Sequence, residues 1–288
     1  MTAIEVAMAD TVQAGDGAQP PGHRRVAVQG MRNGQPFSAC DEVVDEVPVA
    51  LEFNGISHAV MLATPRDLED FALGFALSEG LLADVSELFD IELSESAQGI
   101  TVGLQVSGRV FAQLKSRRRS LAGRTGCGLC GAESLQQAIQ PLRRVTQAAR
   151  IQAGVLRTAL DALRLRQPLQ QITGASHAAA WCGLDGELRL VREDVGRHNA
   201  LDKLIGALAR ADLPTTDGFA LITSRASYEM VHKAASAGIG LLAAISAPTA
   251  LAVRMAEAAN LCLLGFARDD EWVAYSYPER IDIEDGPR

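Results

Sequence analysis

Cysteine is scarce in this chain, aromatic residues are few and basic residues are outnumbered. The 288 residues include five cysteines, an odd and small number that does not suit a secreted disulfide framework. Aromatics make up 5%, and 27 Lys and Arg stand against 35 Asp and Glu, for a net charge of −8. This balance excludes a generally basic, nucleic-acid-coating protein, while leaving room for a local basic stripe. Residues 1–10 have no Lys or Arg and no apolar core of signal-peptide length, so a cytoplasmic, reducing compartment is expected. The uncharged run 234–253 has the length of a membrane span. It consists mostly of Ala, Gly, Ser and Thr with Pro248 inside, and divides into a strand and a Pro-started helix, so no membrane is expected. What is present is a 48% hydrophobic chain, long enough for one large or two smaller domains that need no disulfide or metal staple.

Residues 1–24 are rich in Ala, Gln, Gly and Pro without periodicity and read as a disordered tail. From Arg25, strand signals begin. Asn33-Gly34 and Asn54-Gly55 are hairpin turns, because the favoured turn needs positive φ at both central positions. Pro48 marks an edge or a bulge within a strand region spanning 43–53. Thr64-Pro65 opens a helix with Thr64 as its cap, and Leu68, Phe71, Ala72 and Phe75 form its core face. A basic segment, Lys115-Ser116-Arg117-Arg118-Arg119, precedes a glycine-rich loop, and the stretch 140–170 reads as helical with a break near Pro141. Beyond it, apolar strands at 177–181, 219–223, 240–245 and 261–266 alternate with helices at 197–211, 227–237 and 248–260. The pattern predicts an α/β fold with a mostly parallel sheet covered by helices. The expected division is a tail (1–24), a smaller β-rich α+β domain (25–122), a mobile loop (123–131) and an α/β domain (132–288).

The most informative text is Gly123-Arg124-Thr125-Gly126-Cys127-Gly128-Leu129-Cys130-Gly131, in which four of nine residues are glycine. Such a segment makes a poor helix or strand, so its thiols sit on a loop. Three uses of C-x-x-C compete here: zinc binding, dithiol redox and sulfur transfer through a persulfide. Zinc needs about four ligands, and there is one C-x-x-C pair. Cys40, Cys182 and Cys262 stand alone in strand-like text and read as buried thiols. A zinc deaminase would show H-x-E before P-C-x-x-C, and none of the five His residues is followed in that way. Lys115, Arg117, Arg118, Arg119 and Arg124 would favour thiolate and draw in anions.

That loop resembles the cysteine loop of the formate dehydrogenase accessory sulfurtransferase family. The likeness extends through Glu46-Val47-Pro48-Val49, Thr64-Pro65-Arg66-Asp67-Leu68-Glu69-Asp70-Phe71, Ser78-Glu79-Gly80, Glu193-Asp194-Val195-Gly196-Arg197-His198-Asn199-Ala200 and Ser224-Arg225-Ala226-Ser227-Tyr228-Glu229. The resemblance implies a carrier that takes sulfur from a cysteine desulfurase. It delivers that sulfur to the molybdenum bis-guanine-dinucleotide cofactor before insertion into formate dehydrogenase. It also implies a homodimer, and a second half similar to the cytidine deaminase fold without its zinc. By this resemblance Cys127 carries the persulfide and Cys130 is the second thiol, assisting release or forming a protective disulfide.

The resemblance places a cofactor-contacting stretch at Phe266, Ala267, Arg268, Asp269, Asp270 and Glu271. Arg268 suits a phosphate, whereas three consecutive acids do not. Strand-to-helix junctions are ready anion sites, which adds Arg197, His198, Ser224, Arg225, Ser227 and the stretch 246–249. Asp194 could accept from guanine nitrogens. Asp194 and Ser227 also read as helix caps, His198 as a packed or solvent-facing ring, and His177 as a core histidine. Two rival functions are a non-enzymatic cofactor-binding chaperone and a zinc-dependent nucleoside hydrolase; the missing ligands argue against the latter, and no resident metal is expected.

Overall fold

A computed structural model describes residues 22–121, 142–146 and 149–283. The Cys127–Cys130 loop and most of the expected tail lie outside the described residues. His23 and Arg24, assigned to the tail, already belong to the first strand.

Strands β1 (His23–Arg32) and β2 (Gln35–Val44) form a two-stranded ribbon. A four-stranded sheet follows, in the order β4-β3-β6-β5, from β3 (Val47–Phe53), β4 (Ile56–Ala63), β5 (Leu88–Ser96) and β6 (Gly99–Val106). Asn33 and Gly34 have φ of 52° and 75°, and Asn54 and Gly55 have 47° and 77°, as the hairpin turns require. The Asn54 amide also donates to the Val106 carbonyl at 3.0 Å and accepts from its N–H at 2.7 Å, tying the turn to β6. Helices α1 (Leu68–Ser78) and α2 (Gly108–Leu121) complete the body, whose core includes Val49, Leu51, Phe53, Phe71, Val102, Leu104 and Val110.

Two local expectations change. β3 is an interior strand, and Pro48 is tolerated because pairing with β6 begins only at Val49. Thr64 is no helix cap: α1 begins three residues later than expected, after Asp67 at φ 52°. Thr64 is buried, and every polar group it has is used across the junction described below.

The second body has a six-stranded sheet in the order β13-β12-β11-β10-β8-β9. It is built from β8 (His177–Gly183), β9 (Leu188–Asp194), β10 (Gly218–Ile222), β11 (Leu241–Ala244), β12 (Cys262–Arg268) and β13 (Glu271–Ser276). The sheet is mixed α/β architecture, not mostly parallel: only β10–β11 and β11–β12 are parallel, and the other three pairings are antiparallel. The reason is connection length. β8–β9 and β12–β13 are joined by tight turns, which permit only antiparallel pairing. The passages through α6 (Tyr228–Ser236) and α7 (Ala250–Ala259) give the parallel pairs. Burial hid this, because antiparallel β8 is as apolar and enclosed as the parallel pair β10 and β11.

Helices α3 (Ala153–Leu165) and α4 (Pro168–Thr173) precede this sheet, α5 (Arg197–Arg210) follows β9, and the short strands β7 (Ile151–Gln152) and β14 (Ile281–Asp282) pair with each other. Residues 142–146, expected in a helix, are irregular. Cys182 and Cys262 are buried, which pushes both thiols up to about 12. Cys40 is exposed on β2, contrary to expectation, because the ribbon has no core beneath it. Among the described residues no helix is long and apolar enough to cross a membrane.

The two bodies meet where α1 crosses α5. A Cβ on Gly74 would lie 1.7 Å from the Asp202 carbonyl oxygen, and one on Gly206 would lie 1.9 Å from that of Asp70, so the backbones touch. Buried polar clusters flank the crossing. Asp202 accepts from Ser78 Oγ at 2.7 Å and pairs with Lys233 Nζ at 2.9 Å, which also reaches Glu79 at 2.8 Å. Burial raises the Asp202 carboxyl above the ordinary range. Burial opposes the charge on Lys233, but its two carboxylate partners outweigh it and hold the ammonium above its usual value. Asp70 accepts from Arg192 and Arg210 at 2.8 Å each. Gly206→Ala is therefore expected to destabilise the protein by about 1–3 kcal/mol through overpacking. Urea unfolding measures this, and an unchanged midpoint would contradict the backbone contact.

Candidate functional site

One end of the six-stranded sheet gathers the candidate residues. β10, β11 and β12 all finish there, β8 begins there opposite the end of β9, and α5, α6 and α7 start there. Backbone bonds fix the loops to one another. Thr223 N donates to Ala178 O at 3.0 Å, Ile245 N to Ile222 O at 3.0 Å, Thr249 N to Ala226 O at 3.0 Å and Phe266 N to Ser246 O at 3.3 Å. The loops cannot separate easily: a Cβ on Gly265 would lie 2.8 Å from Pro248 and 2.9 Å from Tyr275. Arg197, His198, Ser224, Arg225 and Ser227, chosen as strand-to-helix junctions, thus lie at the same end of the sheet as Phe266 and Arg268, chosen by the resemblance.

The electrostatics of this end favour an anion. Helices α5 and α6 start at Gly196 and Ser227 without any side-chain cap, leaving first-turn N–H groups unused by a cap, whereas Thr249 caps α7 through Ala252 N at 3.2 Å. Arg197 opens α5, and its Nε is buried with no hydrogen-bond partner among the described residues. A buried unpaired guanidinium donor is costly unless something accepts from it. Arg225 is exposed beside buried Ser224, and the exposed Arg268 donates from Nε to Ile245 O at 3.0 Å. Phe266 stands 43% exposed at φ 54°, a left-handed conformation that a bulky residue rarely holds without constraint. Such an end can take a phosphorylated, planar ligand.

Two histidines line the same end. His198 Nε2 lies 2.8 Å from a Glu229 oxygen, linking the starts of α5 and α6. Burial lowers its pKa most, Glu229 opposes that, and Arg197 and Lys233 add to the lowering. His177 is half-buried and not a core residue; burial, then Arg197, lower its pKa, with Asp194 opposing. Glu229 escaped the sequence reading, although it sits two residues beyond Ser227 in the same quoted motif.

Other expected site residues have different partners. Asp194 is fully buried, and its two oxygens accept from Thr64 N (3.0 Å), Gly196 N (2.7 Å) and Asn199 Nδ2 (2.9 Å) and pair with Lys203 Nζ (2.7 Å). That fills the capacity of a carboxylate, so Asp194 has no free acceptor for a guanine nitrogen and holds the junction instead. Ala267 buries its methyl in the core, leaving only its backbone to a ligand. Asp269 and Asp270 turn away onto α3: Asp269 pairs with Arg164 and Asp270 with Arg157, both at 2.7 Å. These arginines neutralise the acids that made the stretch look unsuited to a phosphate. Glu271 is exposed opposite Arg268 in the β12–β13 register. Cys127 and Cys130 lie outside the described residues. Among those described, no group of three or more His, Cys, Asp or Glu side chains could hold a metal ion.

Comparison with known proteins adds a family. Residues 44–282 match the FdhD/NarQ family. The chain is 57% identical over 271 residues, 94% of each chain, to the sulfur carrier protein FdhD of Cupriavidus necator. It is 53% identical over 264 residues to the protein of that name in Variovorax paradoxus, covering 92% of this chain and 95% of the other. Its fold is similar to a crystal structure described as a formate dehydrogenase accessory protein, from Desulfotalea psychrophila, with a TM-score of 0.71 and 21% identity, covering 91% of this chain and 100% of the other. With most of its length matched and relatives at more than half identity across nine-tenths of it, the chain belongs to the FdhD/NarQ family.

Proposed function

We propose that the protein is a cytoplasmic sulfur carrier of formate dehydrogenase maturation, a sulfurtransferase. It accepts sulfur from a cysteine desulfurase as a persulfide on Cys127 and passes it to the molybdenum bis-guanine-dinucleotide cofactor, its substrate. The name of the relatives at 57% and 53% identity supports the carrier role. The observation that carries the cofactor end of the reading is the Arg197 Nε at the start of α5, buried and without a hydrogen-bond partner among the described residues, together with the starts of α5 and α6 that lack side-chain caps.

In loading, the Cys127 thiolate attacks the outer sulfur of the donor's cysteine persulfide. The donor's S–S bond breaks, its cysteine leaves as thiolate, and Cys127 becomes the persulfide. In delivery, Cys130 attacks the inner sulfur, a Cys127–Cys130 disulfide forms, and the outer sulfur leaves as hydrosulfide toward the metal. The two thiols supply the two electrons that this sulfur gains. Meanwhile Arg197, Arg225, Arg268 and the N–H groups opening α5 and α6 hold pyrophosphate, and Phe266 offers a face to guanine. The same reading includes a homodimer and a second body over 132–288 similar to the cytidine deaminase fold, for which the parallel β10–β11–β12 core with its helices is the support.

The expected result for Cys127→Ala is loss of formate dehydrogenase maturation with unchanged melting temperature and unchanged GDP affinity. Full maturation by that variant would overturn the carrier reading. Arg197→Gln is expected to weaken GDP binding about tenfold, or about 1.4 kcal/mol, by calorimetry; unchanged affinity would remove Arg197 from the site.

A pH dependence follows from His177 and His198. Both pKa values lie below the ordinary value of about 6.5, so both rings are neutral at pH 7. The unfolded chain takes up these protons more readily, so stability from these groups is complete above about pH 6.5 and falls as the pH drops toward the folded values. Proton NMR titration should place both midpoints below that of an unfolded control; midpoints above it would contradict the assigned burial.

A further inference from the structure

The β1–β2 ribbon is a structural anomaly. It runs ten residues per strand in unbroken register, about 33 Å long at ~3.3 Å per residue. No third strand joins it among the described residues, so both of its edges carry unpaired backbone groups. Most of its positions are exposed, Met31 at 68%, and its main neighbour outside itself is the short helix α4. An isolated two-stranded ribbon is marginally stable at best in water, and an unguarded edge invites pairing.

The two strands differ in charge. β1 carries Arg24, Arg25 and Arg32 and no acid, while β2 carries Asp41 and Glu42 and no base. The other terminal strands of the described sheets offer one complement to β1. β5, nine residues long at the end of the four-stranded sheet, carries Asp90, Glu92 and Glu95 and no base. It also exposes Phe89 at 70% and Leu93 at 45%. The opposite edge, β4, has no acid, and a bulge and the Asn199 bond to Leu62 O interrupt it. β9 mixes both signs, and β13 has a single acid and two register shifts.

We propose that the ribbon is a dimer arm whose β1 edge adds to the β5 edge of a second copy of this chain, reciprocally. The match is in length, ten residues against nine, and in sign, three arginines against three acids. Val26 and Val28 share one face of β1, as Phe89 and Leu93 share one face of β5, so the apolar pairs can be placed together in one register. Reciprocal exchange satisfies a two-fold axis and closes the assembly, converting each four-stranded sheet into a six-stranded one. The inference rests on the homodimer reading and names its surface.

The test is a charge exchange read by light scattering at about 20 µM on the full chain. The arm variant carries Arg24→Glu, Arg25→Glu and Arg32→Glu, and the sheet variant Asp90→Lys, Glu92→Lys and Glu95→Lys. The wild type should be a dimer and each variant alone a monomer with native circular dichroism. Mixed together, the two variants should form a heterodimer, because both crossed arm–sheet pairs are then complementary. A monomeric wild type would overturn the homodimer reading and the arm with it. A dimeric wild type whose variants also remain dimers, or whose monomeric variants fail to pair on mixing, would overturn the arm alone.

Discussion

The contact between Gly74 and Gly206 sets the geometry on which the rest of the structure depends. α1 belongs to the four-stranded body and α5 to the six-stranded one, and at the crossing neither has room for a methyl group. Backbones this close leave no space for side chains to mediate the contact, so the two bodies meet in a single arrangement. The polar clusters beside the crossing reinforce it. Asp70, Asp202 and Lys233 are all buried; across the junction Asp70 pairs with Arg192 and Arg210, Lys233 pairs with Glu79, and Asp202 accepts from Ser78. Buried ion pairs are weak evidence of net stability, but a misplaced crossing would strand charges in an apolar interior. They therefore penalise other arrangements more than they strengthen this one.

The crossing also positions the candidate site. Thr64, in the loop that leads into α1, donates from its N–H to Asp194, and its hydroxyl accepts from Val195 N. Lys203, inside α5, donates to Thr64 O and pairs with Asp194. The turn before α5 is thus fixed from both bodies, and Arg197 opens the helix two residues past Val195. Asp194 and Lys203 of this motif are structural, while the helix start has no side-chain cap and Arg197 Nε has no hydrogen-bond partner among the described residues. On the far side, Arg157 and Arg164 draw Asp269 and Asp270 onto α3, leaving Arg268 and Phe266 nearest the loops of α6 and α7.

Local rules made much of this legible. Both Asn-Gly turns, the apolar face of α1 and the strand–helix succession after residue 218 followed from spacing and turn chemistry, and the junction candidates lie at one end of the sheet. What failed depended on partners distant in sequence. Strand direction within the second sheet was set by connection length, which apolar content does not reveal. Thr64 looked like a cap because its acceptor and donor partners lie 130 residues away. Asp194 looked available because nothing local shows that four donors surround it. Cys40 looked buried because its strand resembles a core strand, although the ribbon has no core. Asp269 and Asp270 looked repulsive until α3 supplied their countercharges.

In the proposed function, the sulfur chemistry belongs to Cys127 and the recognition of an anionic cofactor to the sheet end. The measurement that tests it most directly is mass spectrometry of the intact protein after incubation with a cysteine desulfurase and cysteine. One added sulfur atom is expected, mapped to Cys127, removed by thiol reductant and absent from Cys127→Ala. Wild-type protein that gains no sulfur while still binding GDP would contradict the carrier and leave a chaperone that binds the cofactor without transferring sulfur.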